Sequence, residues 1–90
     1  RVVHSVKGLV YISTFEGGKA ESIEIEITNE SPVAGKQLKD IRLPGKALVG
    51  VILREKEAIV PRGNTQILDG DHIVLFTLPE SVSKLLKYLT

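Results

Sequence analysis

The stretch DGDHIVLFTLPESVSKLLKYL, residues 69–89, places two different periodicities next to each other. DGD is turn chemistry, with Gly70 the residue expected at positive φ. HIVLFTL is a nearly unbroken apolar run, which predicts a final strand covered on both faces. The pattern then changes. Val82, Leu85, Leu86 and Leu89 recur at i, i+3, i+4 and i+7, the spacing of one helical face. Pro79 and Glu80 suit a helix start, and Lys84 and Lys87 lie toward the end where the helix dipole favours cations. A strand that feeds directly into an amphipathic helix predicts a sheet with a helix closing over it.

Upstream, ALVGVILR (47–54) is a second apolar run and predicts another strand covered on both faces, with Gly50 marking a bulge or a close backbone approach. EKE turns the chain, and AIVP returns it as a hairpin partner. In VPRGNTQILDGDHIV (60–74), RGNT reads as a turn and QIL as a short extended piece. Pro61 cannot donate to a ladder, so it belongs at a strand end or edge. SIEIEIT (22–28) alternates Ile23, Ile25 and Ile27 with Glu24 and Glu26, which predicts a half-exposed edge strand whose glutamates face water. NESPVAG is a turn, and GKQLKDI predicts a short helix with Leu38 and Ile41 on one face, stopped by Pro44 and Gly45. Residues 1–18 differ in texture: RVVHSVKG has no clean period, LVYISTF reads as a strand, EGG breaks it, and KAES reads as a helical turn or linker. From residue 22 the order is β–α–β–β–(short β)–β–α. The expected class is α+β: a small mixed β-sheet with a short crossover helix and a C-terminal amphipathic helix.

Ninety residues make one domain, and the boundary is placed between a tail or linker at 1–18 and the domain proper at 19–90. The formal net charge of +1 predicts no strong attraction to nucleic acid or acidic lipid. Cysteine is absent, which excludes disulfides and thiolate metal sites. Methionine is absent too, so the chain is expected to be a piece of a longer protein. No apolar run approaches the ~20 residues of a membrane span, and no signal peptide is read at the start.

Chemistry is sparse. G-x-G-x-x-G and Walker patterns are missing, and GGK at 17–19 lacks the spacing and the following Ser or Thr. His4 and His72 are far apart in sequence, and His72 is expected to be a hydrogen-bonded core or rim residue. Carboxylates are numerous, but no pattern pairs two of them for acid–base work. An enzyme is not expected: no catalytic residue and no metal site is assigned. LPGKALVGV and ILDGDHIVLF bear a faint likeness to swapped-hairpin transcription regulators, the alternative function. Those need a basic surface and aromatic platforms, and this chain has two tyrosines and two phenylalanines. A binding or regulatory module that pairs with a copy of itself is the class left.

Set end to end, SPVAGKQLKDIRLPGKALVGVILREKEAIVPRGNTQILDGDHIVLFTLPESVSKL (31–85) resembles the C-terminal regulatory domain of TrkA-type potassium-uptake proteins, called RCK-C or TrkA-C. SPVAGK at 31–36, LP at 43–44, IVPRGNT at 59–65 and GDHIVLF at 70–76 carry the resemblance, and LVYISTFEGGKAESIE is similar to the join with a preceding nucleotide-binding domain. The resemblance implies a homodimer and a cytoplasmic location at the inner face of the membrane. It also implies control of a membrane potassium channel or transporter subunit, without membrane insertion or nucleic acid. NAD or an adenine nucleotide is expected only in the upstream domain, and cyclic di-AMP is a candidate for the dimer groove here. For that ligand the resemblance offers Arg54 or Arg62 as phosphate partners, Asn64 as a hydrogen-bonding group, and Ile59 and Pro61 as packing against a purine. The residues themselves leave a plainer alternative open: a solvated turn at Arg62, left-handed tolerance at Asn64, and a core role for Ile59.

Overall fold

Two glycines decide how the first half of the sheet is built. The computed structural model describes residues 1–2 and 6–90, and His4 lies outside them. Strand β1, Leu9–Thr14, and strand β2, Glu21–Glu26, are antiparallel neighbours. The turn between them is closed by the Phe15 N–H donating to the Ala20 carbonyl at 2.9 Å, with Gly17 at φ 89° and Gly18 at φ 68°. Only glycine takes two successive left-handed positions without steric cost. Lys19 and Ala20 therefore lead straight into β2 rather than forming the helical turn or linker expected for KAES. β1 also occupies the place expected for β2: the SIEIEIT strand is interior, not an edge. The sheet takes in residues on both sides of the 18/19 boundary.

Strand β3 is Ala47–Arg54, β4 is Glu57–Ile59 and β5 is His72–Thr77, and the sheet order is β1-β2-β5-β3-β4. Every pairing is antiparallel. The α+β class holds, but the expected mixed sheet does not. The chain does cross from β2 to β3, and those strands run the same way; β5 inserts between them and is antiparallel to both. β3 and β4 form the expected hairpin.

Side-chain alternation sorts the sheet into two faces. Ile23 and Ile25 of β2, Ile52 of β3, and Ile73 and Leu75 of β5 point inward and are buried. They share one core with Leu9, Val33, Ile67, Leu85 and Leu89. The helix α1, Val82–Leu89, follows a 3-10 turn at Pro79–Ser81 and supplies Leu85 and Leu89, as its spacing predicted. The short helix expected over GKQLKDI is one 3-10 turn, Leu38–Asp40. The outer face is the main departure. β3 and β5 were expected to be covered on both faces, yet Leu48 is 67% exposed and Phe76 42% exposed. Gly50 marks the bulge, one of the two alternatives expected of it, and lies under the Phe76 ring. The register shifts between Val49 and Val51, and a Cβ at position 50 would lie 2.5 Å from Phe76 Cε2.

Leu85, fully buried beneath the sheet, tests this core. Leu85→Ala is expected to cost about 3 kcal/mol. In urea unfolding the midpoint should fall with little change in slope.

Candidate functional site

The ladder between β3 and β4 stops early, and a groove opens where it stops. Ile52 pairs with Ile59, but Pro61 has no N–H to extend the pairing, and the chain swings away from β3. The RGNT segment then closes on itself. The Arg62 N–H donates to Thr65 Oγ1 at 2.9 Å, and the Thr65 N–H donates to the Arg62 carbonyl at 3.0 Å. The 3-10 turn fastens to this arm through the Lys39 N–H to the Gly63 carbonyl (2.8 Å) and the Leu38 N–H to the Thr65 carbonyl (3.0 Å). The amides of Arg62 and Thr65 are thus committed to the fold, and the stretch forms a tight turn.

Between the arm and the free part of β3 lies a cleft of about 270 Å³. Leu38, Ile41, Leu43 and Val49 supply apolar walls, Leu48 and Pro61 flank them, and Lys39 and Arg62 are its cations. Pro61 and Arg62, adjacent in the chain, both line this cleft. Ile59 packs against the core margin, and Asn64 is exposed on the turn; neither lines the cleft. Lys39 and Leu48 were not singled out from sequence. The helical pattern assigned significance to Leu38 and Ile41 alone, and nothing in an apolar run shows which of its residues will reach solvent.

Arg54 has a different setting. Its Nε donates to Asp71 Oδ1 at 2.9 Å, and its Nη2 donates to Asp71 Oδ2 at 2.8 Å and to the Gln66 carbonyl at 2.9 Å. Asp71 is 1% exposed and also accepts the Leu68 N–H at 2.9 Å. Burial pushes the Asp71 carboxyl up. The Arg54 hydrogen bonds, the Leu68 amide and the nearby positive charge outweigh it and hold the group below its ordinary value of 3.8. Arg54 in turn is raised, chiefly by its hydrogen bonds to Asp71. The guanidinium fork is therefore largely occupied by a structural partner. His72 Nδ1 meets Glu24 Oε2 at 2.6 Å on the outer sheet face, the hydrogen-bonded role expected of it. Among the described residues no group of three or more His, Cys, Asp or Glu side chains gathers as a metal set. No described helix is long and apolar enough to cross a membrane.

The family model for the TrkA-C domain matches residues 23–90. Trk system potassium uptake protein TrkA homolog 1 of Methanosarcina mazei is 35% identical over 82 residues, covering 91% of this chain and 18% of that protein. Homolog 2 of the same organism is 38% identical over 84 residues, covering 90% and 19%. The Trk system potassium uptake protein TrkA of Haemophilus influenzae is 35% identical over 68 residues, covering 72% and 15%. The chain thus spans about a fifth of the length of the two archaeal relatives. A solved structure titled "Structure of RCK domain with cda" superposes with a TM-score of 0.68 at 30% identity, covering 77% of this chain and 97% of that one.

The Arg54–Asp71 pair makes a signed prediction. Asp71 is depressed in the folded state, so its contribution is present above pH ~4 and is lost as pH falls through its lower folded pKa. Arg54→Leu strands a buried carboxylate and is expected to cost about 3–5 kcal/mol at pH 7. The unpaired carboxyl should then titrate upward, so the gap between variant and wild type should narrow on acidification. Urea melts at pH 7 and pH 5 check both statements.

Proposed function

The chain belongs to the TrkA-C domain family, and from that premise we propose that it is a non-catalytic regulatory module of a Trk-type potassium-uptake system. It works at the cytoplasmic face of the membrane, pairs with a second copy of itself, and biases a membrane potassium transporter subunit through the longer protein. It takes a two-phosphate nucleotide of the cyclic di-AMP class in the cleft between Lys39 and Arg62.

The observation that carries the ligand assignment is the cleft itself: apolar walls with two cations, Lys39 and Arg62. Purine rings suit the walls, and phosphates suit the cations through charge-assisted hydrogen bonds. The volume argues for two copies. About 270 Å³ lies just under the ~300–1,000 Å³ of small-molecule pockets, so one cleft suits half of a two-fold dinucleotide. The solved RCK domain, described with cda, supports testing this ligand first. NAD and adenine mononucleotides are assigned to none of these residues.

Regulation follows from differential binding. A ligand that prefers one arrangement of the pair shifts the population toward it. Moving an equilibrium from 1:99 to 99:1 needs about 5.5 kcal/mol of preference, which several clefts in an assembly can share.

Isothermal titration of the 90-residue chain with cyclic di-AMP is the test. Saturable binding is expected, weakened about 10-fold or more by Lys39→Ala and by Arg62→Ala, since each removes a hydrogen bond to charge. Affinity should also fall with added salt. An absence of heat with the wild-type chain at millimolar ligand would sink the ligand assignment.

A further inference from the structure

Gly63 lines the ligand cleft, yet nothing in the backbone asks for glycine there. The Thr65 N–H donates to the Arg62 carbonyl at 3.0 Å, so Gly63 and Asn64 are the two central residues of a four-residue turn. Neither has a positive φ. Types II, I′ and II′ each need one at a central position, so this turn belongs with those whose first central position accepts most residues. Gly70, in the DGD turn, differs, since it sits at φ 89°. Nor is the space beside Gly63 taken. A Cβ there would meet only Lys39 Cβ within 4 Å, at 3.6 Å, an ordinary van der Waals contact. Gly50 is the opposite case, with Phe76 Cε2 only 2.5 Å from such a Cβ. What Gly63 gives the fold is its carbonyl, which accepts the Lys39 N–H at 2.8 Å, and every amino acid carries that group.

We infer that Gly63 is the specificity-determining residue of this cleft, selecting its ligand by size. The inference rests on the ligand reading above and names the residue that sets what the cleft admits. Gly63 follows Arg62 in the chain and touches Lys39 in space, so a side chain at 63 would rise from the wall that carries both cations. A dinucleotide has to reach the apolar walls with its purines and the cations with its phosphates at once. Charge-assisted hydrogen bonds close only to about 2.7–2.9 Å, so a side chain standing at that wall keeps a bulky anion from making them. Bare backbone leaves the room, and it lets a flat ring approach the peptide plane closely. A residue that neither a left-handed φ nor a crowded neighbour explains is accounted for by the ligand it admits.

Isothermal titration with cyclic di-AMP and thermal melts test this on Gly63→Ala and Gly63→Leu beside the wild-type 90-residue chain. Affinity should fall with side-chain size, roughly 3-fold for Gly63→Ala and at least about 10-fold for Gly63→Leu, as expected when extra atoms enter a filled site. The Gly63→Ala melt should hold or rise by up to about 6 °C, because alanine at a compatible turn position loses less chain entropy on folding. Wild-type affinity in both variants, or in Gly63→Ala alone where Gly63→Leu does not fold, overturns the assigned residue and leaves the ligand reading intact. A lowered Gly63→Ala melt marks a glycine kept for the backbone and overturns the inference as well. Wild-type chain that gives no heat removes the ligand reading and this inference together.

Discussion

The Arg54–Asp71 pair is the constraint on which the rest of this small fold depends. Arg54 ends β3, and Asp71 immediately precedes β5. Two hydrogen bonds between them, with further bonds to the Gln66 carbonyl and from the Leu68 amide, gather three chain segments at one corner. With Asp71 buried and Arg54 a third exposed, the pair is poor evidence for net stability, since desolvation of the carboxylate offsets much of the attraction. What it supplies is position. The segment from Pro61 to Leu68 has little regular structure of its own, and this corner fixes where it returns to the sheet.

That positioning turns an irregular connection into one wall of a cleft. The 3-10 turn at Leu38–Asp40 is bound to the same segment by backbone hydrogen bonds, so Lys39 and Arg62 are carried on mutually braced pieces of chain. The bonds hold their backbones, while both side chains remain exposed. Leu48 lies between the cleft and the outer face of the sheet and borders both.

Much of this was legible in the chain. The spacing of Val82, Leu85, Leu86 and Leu89 declared the helix, and the isoleucines of β2 declared their buried side, because both patterns are local. Neighbour relations were not. β1 has a register shift between Leu9 and Tyr11, so its alternation is broken and it gave no sign of pairing with β2. Nor could a run such as HIVLFTL show that only one side is covered: an apolar residue awaiting a partner looks the same as one already buried. At the site, Pro61 and Arg62 line the cleft, and the resemblance to the TrkA-C domain, not their local pattern, had singled them out. Arg54 was offered by the same resemblance, and its bond to Asp71 spans 17 positions, beyond any local pattern. Lys39 was missed because a 3-10 turn, not the expected helix, sets where it points.

Pro61 gives the architecture one more property. Continuing the β3–β4 register past Ile59 would set position 61 against Gly50 and position 62 against Val49. Proline at 61 withholds the one donor that pairing with Gly50 would need. An imino acid at this point removes one rung of the ladder, while the Leu38 and Lys39 amides hold the arm off β3.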